Sequence, residues 1–264
     1  MAKIKIKMGD IFDIKDKVIL FTGGYGYLGE ATVKYYAQLG AKVYVLARNK
    51  EKFEVKFNHK NIFFVDCDIS QTLTIKEAFK KIYQTENKID VLINNAFYSR
   101  GQSPEHMTDE DFMHGIDGTL NSVFRCIREI IPYFKNKKRG KIINVSSMYG
   151  VVAPDFKLYD ESPDFLNPPH YGAAKAGVLQ LTKYYASYLG KYNINVNAIT
   201  PGPFPSTYVK NSDSDFEKRL ANNTFLNRVG LPEDLIGAFV LLASNASSYM
   251  TGQNIIIDGG WTSK

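Results

Sequence analysis

The sequence contains little cysteine and lacks a long apolar segment near its beginning. Cys67 and Cys126 are the only cysteines among 264 residues, which is too few for a disulfide framework. We therefore expect both to be buried in a protein of a reducing compartment, the cytoplasm, and we expect no metal site. Met1 to Lys17 mixes charged residues with isolated apolar ones, unlike a signal peptide or a membrane span, so we expect neither export nor a membrane partner.

Positive charge is in modest excess, but the basic residues are not concentrated in one segment of the sequence. The formal net charge is +6, and most lysines are scattered along the chain. The densest cluster lies where a predicted helix ends before a strand, and it consists of Lys135, Lys137, Lys138, Arg139 and Lys141. Solvated charge at a helix end is the simplest interpretation of this cluster. We therefore do not expect a nucleic-acid partner.

Apolar runs of strand length alternate with amphipathic segments along the whole chain. The predicted strands are Val18–Phe21, Val43–Leu46, Ile62–Val65, Val91–Ile93, Ile142–Val145, Ile194–Ala198 and Ile255–Ile257. Helices are predicted near Leu73–Thr85, Asp109–Phe134, Tyr171–Leu189 and Pro232–Ala243. Such alternation is typical of a parallel sheet covered by helices on both faces. We therefore predict an α/β fold in which residues 1–264 form a single domain, a doubly wound parallel sheet of seven strands of the Rossmann type.

A glycine-rich segment follows the first predicted strand and opens a predicted helix. It reads Thr22-Gly23-Gly24-Tyr25-Gly26-Tyr27-Leu28-Gly29. Glycines at such a turn let the backbone approach a pyrophosphate, and the helix N-terminus stabilises its charge. In the helix itself, Leu28, Ala31, Tyr35 and Leu39 are expected to share the buried face, and Gly40 supplies the stop. The segment predicts a dinucleotide-binding site.

The end of the second strand bears on the choice of cofactor. An acid is usually found there when the cofactor carries a free ribose 2′-hydroxyl. Here Ala47 occupies that place and Arg48 follows it. A guanidinium is suited to a 2′-phosphate, so NADP(H) is favoured over NAD(H).

Five motifs, each at the end of a predicted strand or in a helix, occur in one order along the chain. They are Asn94-Asn95-Ala96, Asn144-Val145-Ser146-Ser147, Tyr171-Gly172-Ala173-Ala174-Lys175, Pro201-Gly202 and Asp258-Gly259-Gly260. In this order the sequence resembles the short-chain dehydrogenase/reductase family, from about Ile14 to Trp261. The resemblance implies an NAD(P)-dependent oxidoreductase that reduces a carbonyl group or oxidises the corresponding alcohol. It also implies a homotetramer or homodimer built on the two long helices.

The resemblance assigns the catalytic roles to three residues. Tyr171 would donate the proton, Ser147 would hydrogen-bond the substrate oxygen, and Lys175 would bind the nicotinamide ribose. The residues themselves make chemical sense, because a phenol with a pKa near 10 needs a nearby cation to act at neutral pH. Lys175 lies four residues after Tyr171 and therefore on the same helical face.

Further cofactor contacts are implied position by position. The resemblance places Asp68 and Ile69 beside the adenine, and Asn94 and Ala96 along the cofactor. It places Pro201, Gly202, Phe204 and Ser206 near the carboxamide.

The chain departs from the family pattern at several places. Its glycine motif reads TGxxGxxG, with Tyr27 where a glycine is usual, and Phe97 replaces the glycine that commonly follows Asn-Asn-Ala. Thr119 stands where a catalytic asparagine usually holds a proton-relay water, and its hydroxyl is expected to substitute in part. Asn121, two positions on, would point elsewhere on a helix.

The separation of Ser147 and Tyr171 is longer than is common in the family. The additional segment, residues 155–169, has both ends beside the catalytic residues, and loops so placed tend to shape substrate pockets. Asp155, Tyr159 and Glu161 are the candidate contacts to a hydroxyl-rich substrate. The segment resembles that of family members in surface-carbohydrate pathways, which implies a sugar-like or polyol substrate.

Two other functions stay open at this stage. A 3-oxoacyl-[acyl-carrier-protein] reductase would use Arg125, Arg128 and the basic cluster to hold its acidic carrier. A non-catalytic dinucleotide-binding protein would account for Tyr27 and Thr119, although Ser147, Tyr171 and Lys175 are all present.

Overall fold

Seven strands form one sheet in the order β3-β2-β1-β4-β5-β6-β7, and every neighbouring pair is parallel. The computed structural model describes residues 11–264, so residues 1–10 of the predicted domain lie outside the described part. The strands are β1 (Val18–Thr22), β2 (Lys42–Ala47), β3 (Ile62–Asp66), β4 (Val91–Asn94), β5 (Gly140–Val145), β6 (Ile194–Pro201) and β7 (Asn254–Ile257). The predicted doubly wound α/β sheet is thus confirmed. Its order reverses between β1 and β4, where a crevice opens at the carboxyl ends of the strands.

Helices connect the strands, and each predicted helix is present. They are α1 (Gly29–Gln38), α2 (Lys50–Lys56), α3 (Thr72–Glu86), α4 (Asp109–Ile116), α5 (Ser122–Lys137), α6 (Pro169–Leu189), α7 (Thr207–Ser212), α8 (Ser214–Asn222) and α9 (Ile236–Ala243). The single helix predicted over Asp109–Phe134 is divided by a π-helical turn, Asp117–Asn121. In the helix predicted over Pro232–Ala243, the first turn is a 3-10 helix. None of the described helices is long and apolar enough to cross a membrane.

Both faces of the sheet are buried, which explains the nearly uninterrupted apolar strands. In β1, Val18 and Leu20 belong to a core shared with α3, α5 and α6. Ile19 and Phe21 alternate with them and join a second core with α1 and α9. Two helical layers therefore enclose the sheet.

The buried face of α1 differs from the prediction. Tyr35 and Leu39 are 40% and 36% exposed, whereas Val33, Tyr36 and Ala37 are buried, together with Thr32. The helix is thus rotated by about one residue relative to the predicted face. Adjacent apolar stripes, with a tyrosine at both 35 and 36, made the two faces indistinguishable by periodicity. The predicted stop is confirmed, because Gly40 has a φ of +84° directly after the helix.

Residues 155–169 fold onto α8. The segment forms two short 3-10 turns, Phe156–Tyr159 and Pro163–Phe165. Leu158 and Tyr159 are buried in a third apolar cluster with Phe216 and Leu220 of α8. The insertion is therefore a packed wall beside the crevice.

Candidate active site

The glycine turn is shaped by close approaches of backbone to its surroundings. Gly23 has a φ of +62°, and a Cβ there would lie 2.9 Å from the Cβ of Ala96. A Cβ on Gly24 would lie 2.9 Å from the side chain of Val33, and one on Gly29 would lie 2.9 Å from the carbonyl oxygen of Gly24. These positions require glycine, so the unusual spacing still produces a tight turn between β1 and α1.

A cleft of about 570 Å³ opens above this turn at the carboxyl ends of the strands. Of the predicted site residues, those that line it are Gly23, Tyr25, Gly26, Tyr27, Leu28, Arg48, Asp68, Ile69, Ala96, Tyr171, Lys175, Phe204 and Ser206. The combination of a glycine turn, a helix N-terminus and an elongated cleft fits a nicotinamide dinucleotide. Residues 11–264 contain no cluster of three potential metal ligands.

Other predicted cofactor residues support the cleft from behind and do not line it. The hydroxyl of Thr22 donates to the carbonyl of Ile93 and accepts from the amides of Asn95 and Ala96, at 3.2, 2.9 and 3.1 Å. Gly24 lies behind the turn, and Pro201 is buried at the end of β6. These residues join the strand ends that form the crevice.

Asn94 and Gly202 hold neighbouring segments together. The Asn94 amide donates to the side chain of Asn144 at 2.8 Å, and Asn144 donates to Thr182 at 2.9 Å. A Cβ on Gly202 would lie 2.5 Å from the Cα of Asp258. Asn94 thus anchors β4 to β5 and α6, and Gly202 permits close contact with the segment after β7.

The structure adds lining residues that the sequence did not single out as site residues. They are Leu46, Cys67, Asn95, Tyr98, Val145 and Ser146. Asn95 could have been found from the Asn-Asn-Ala motif, and its amide holds the carbonyls of Thr22 and Gly23 at 3.1 and 3.2 Å. Cys67 and Cys126 are free and buried, as expected.

Tyr98 is fixed by a charged pair on the π-helical turn and α5. Its hydroxyl donates to the carboxylate of Asp117, which also pairs with Arg125. Burial and the hydrogen bond to Asp117 raise the pKa of Tyr98 to about 12. Tyr98 is thus a neutral phenol with a fixed orientation at the cleft.

Of the three predicted catalytic residues, Tyr171 and Lys175 line one end of the cleft, and Ser147 lies beside Tyr171 without lining it. The Nζ of Lys175 lies 5.6 Å from the ring centre of Tyr171 and donates to the carbonyl of Val145 at 2.8 Å. Ser147 lies two residues after the end of β5, is 8% exposed, and accepts from the amide of Tyr149 at 3.2 Å. Phe97 lies against Tyr171 with ring centres 5.7 Å apart. Parallel strand ends and the first turns of α6 therefore bring a phenol, an ammonium and a hydroxyl together.

Burial determines the protonation of the phenol and the ammonium. It raises the pKa of Tyr171 above its ordinary value, while the side chain of Ser147 acts in the opposite direction. It lowers the pKa of Lys175 to about 8. At neutral pH Tyr171 is therefore a protonated phenol beside a largely charged ammonium, the state required of a proton donor.

Thr119 lies in the π-helical turn and is 1% exposed. Its hydroxyl has no hydrogen-bond partner among residues 11–264. Asn121 donates to Asp117 at 3.1 Å, so it is directed away from Thr119, as expected. π-helical turns often accompany functional sites, and the relay role of Thr119 stays a prediction.

The three candidates of the insertion do not line the cleft. Asp155 is exposed and caps the turn that follows it, accepting from the amide of Lys157 at 3.2 Å. Glu161 pairs with Arg219 of α8 at 2.9 Å. In this structure the two carboxylates make a local cap and an ion pair to α8, and their role as substrate contacts stays a prediction.

Tyr159 is placed differently from the two acids. It is 5% exposed, and its hydroxyl lies 2.6 Å from that of Tyr149. Tyr149 is itself only two residues after Ser147. Tyr159 therefore joins the insertion to the segment that carries the catalytic serine.

Known proteins resemble this chain over nearly its whole length. A family model described as "Enoyl-(Acyl carrier protein) reductase" matches residues 27–262. The 3-oxoacyl-[acyl-carrier-protein] reductase FabG of Thermotoga maritima is 34% identical, covering 94% of this chain and 98% of that protein. The sorbose reductase of Candida albicans is 31% identical, covering 96% and 89%. A crystal structure of a short-chain dehydrogenase from Leptospira borgpetersenii with bound NAD+ has a TM-score of 0.86 and 34% identity, covering 99% and 98%. The chain belongs to the short-chain dehydrogenase/reductase family of NAD(P)-dependent oxidoreductases.

Proposed function

We propose that this enzyme uses NADPH to reduce a carbonyl group on a sugar-like or polyol substrate. The observation that supports catalysis is that Tyr171 and Lys175 line one end of the cofactor cleft with the side chain of Ser147 beside Tyr171. We further infer a cytoplasmic enzyme, in keeping with two free, buried thiols.

Each catalytic side chain has a defined task in this proposal. The nicotinamide supplies the hydride when bound. Tyr171 gives its phenolic proton to the substrate oxygen, so that negative charge does not accumulate there. The hydroxyl of Ser147 donates to the same oxygen and orients the carbonyl group. Lys175 stabilises the phenolate left on Tyr171, since its ammonium lies on the same face of α6.

The preference for NADPH is assigned to the end of β2. Ala47 leaves no carboxylate at the position after Leu46, and Arg48 lines the cleft with its side chain 69% exposed. Arg48 forms an ion pair with Asp68, in which the guanidinium nitrogen and the carboxylate oxygen are 3.8 Å apart. An ion pair this open is worth less than about 1 kcal/mol, so Arg48 can turn to a 2′-phosphate at little cost.

The substrate class is inferred from the wall formed by the insertion. Gln102, in the loop after β4, donates to the carbonyl of Asp164 at 2.9 Å, which ties the insertion to the opposite rim. Phe97 lines the cleft against Tyr171, and the buried Tyr149–Tyr159 pair joins the insertion to the segment that carries Ser147. The sorbose reductase among the relatives supports a sugar-like or polyol substrate.

A reductase of acyl chains on a carrier protein is the second candidate. The FabG relative favours it. The cations expected to hold the acidic carrier do not favour this candidate, because each already pairs within the chain. Arg125 is bound to Asp117, and Arg128 is bound to Glu129 at 2.7 Å. The basic cluster lies near the amino end of β5, whereas the cleft lies at the carboxyl ends of the strands.

Oxidation of NADPH in the presence of two substrate panels separates these functions. We expect turnover with ketoses and polyol-derived ketones and little with 3-oxoacyl thioesters. Tyr171→Phe is the matched inactive control. The reverse preference would assign the enzyme to acyl chemistry, and binding of NADPH without turnover on either panel would contradict both.

A further inference from the structure

A second pocket lies at the amino ends of the strands, whereas the cleft lies at their carboxyl ends. We call it the basic pocket, and its volume is about 300 Å³. Lys17, Arg139 and Lys141 line it, together with Asn195 and Asn245. Lys141 is the second residue of β5, so the pocket is separated from Ser147 by the length of that strand, about 20 Å at the usual rise per residue.

Lys141 belongs to the basic cluster that the sequence predicts to be solvated, but its side chain is buried. It is 8% exposed, and its Nζ donates to Ser247 at 2.9 Å and to Asn195 at 3.4 Å. No carboxylate lies within ion-pair distance of it among residues 11–264. Burial, followed by repulsion from Lys17 and Arg139, lowers the pKa of Lys141 to about 8. Buried ammonium groups are normally paired with an anion, and here the described chain supplies none.

The other charges of the pocket are oriented by neutral groups. Lys17 donates to the carbonyl of Ala243 at 2.8 Å, and Arg139 donates to the side chain of Asn245 at 3.3 Å. Asp90 is the single carboxylate in the lining that the structure describes. Its Oδ2 accepts from the amide of Val18 at 2.9 Å and lies 3.4 Å from Lys88. Asp90 and Asp13 both act on Lys17, but Lys88 shares Asp90, so the cations around the pocket still outnumber these two carboxylates.

We propose that the basic pocket binds a small phosphate-type anion, either inorganic phosphate or the phosphate group of a small monoester. Three cations supply donors from several directions, which suits the several oxygens of a phosphate. A volume of about 300 Å³ is at the small end of ligand pockets and excludes a second dinucleotide. The bound anion supplies the counter-charge that Lys141 lacks. This site is independent of the cofactor cleft and of the proposed carbonyl reduction.

Titration calorimetry of the whole protein tests the site. Inorganic phosphate and glycerol phosphate are titrated separately at pH 7 and constant ionic strength, with saturating NADPH so that the cleft is occupied. We expect binding that the double variant Lys141→Met, Arg139→Gln weakens at least tenfold, the loss expected for charge-assisted hydrogen bonds. The matched control, Lys76→Gln with Lys80→Gln on the exposed side of α3, removes the same charge and should bind as the unmodified protein does.

The two anions distinguish the source of the phosphate. Equal affinities would assign recognition to the phosphate group alone, and tighter binding of the monoester would indicate a phosphorylated metabolite. Methionine fills the space of Lys141 without its charge, so the variant should fold. If it does not, Arg139→Gln alone carries the test, because Arg139 is exposed. Affinity that is unchanged by these substitutions, or no binding by the unmodified protein, would overturn the proposal.

Discussion

Removing the guanidinium of Arg48 should weaken NADPH binding while leaving NADH binding almost unchanged. Arg48 lines the cleft and its nearest charged partner, Asp68, is 3.8 Å away, so little internal structure depends on it. Hydrogen bonds between charged groups contribute about 1.5–3 kcal/mol, and the exposure of the side chain favours the low end of that range. Arg48→Ala should therefore cost about 2 kcal/mol, or about thirtyfold in Kd for NADPH.

The assay is fluorescence titration of both cofactors at fixed ionic strength. Lys50→Ala is the matched control, because Lys50 is a nearby cation that is 68% exposed and pairs with Glu54. The double variant Ala47→Asp, Arg48→Leu should go further and favour NADH, since it adds an acceptor for ribose hydroxyls and repels a phosphate. Equal losses for the two cofactors in Arg48→Ala, or none for either, would refute the assignment.

Three further expectations follow from the same structure. Tyr159→Phe leaves the buried hydroxyl of Tyr149 without its partner, so the free energy of unfolding measured with urea should fall by about 1–3 kcal/mol, and an unchanged midpoint would contradict this. Because burial lowers the pKa of Lys175 to about 8, its ammonium is lost as the pH rises through that value, and kcat/KM for reduction should decline above it. A plateau continuing to pH 10 would mean that the charge on Lys175 is not needed. Light scattering at micromolar concentration should show a tetramer or a dimer paired through α5 and α6, where Phe124 and Tyr184 are 38% and 61% exposed, and a monomer would contradict it.

The strand pattern could be predicted because each strand is buried on both faces and therefore reads as an apolar run. The catalytic residues could be placed for a related reason, since parallel strands align their carboxyl ends at one edge. The buried face of α1 could not be predicted, because Tyr35 and Tyr36 are chemically identical and tertiary packing alone decides between them.

Contacts between polar side chains that are far apart along the chain could not be predicted either. The sequence gives no sign that Glu161 pairs with Arg219, which is 58 residues away. The sequence predicts that Lys141 is a solvated lysine of the basic cluster. It is instead buried, because it is the second residue of β5. Periodicity reports which residues are apolar and says little about which polar group a buried charge will meet.

The central claim is that Tyr171 donates the proton in carbonyl reduction, and single-turnover kinetics of Tyr171→Phe test it most directly. The substitution removes one hydroxyl from a partly buried side chain that lines the cleft, and it should lower kcat by about 10²–10⁴-fold, the usual contribution of a general acid, with little change in the Kd for NADPH. Tyr249→Phe, at a fully exposed tyrosine outside the cleft and outside α5 and α6, is the matched control and should retain full activity. Turnover of Tyr171→Phe close to that of the control would contradict the account.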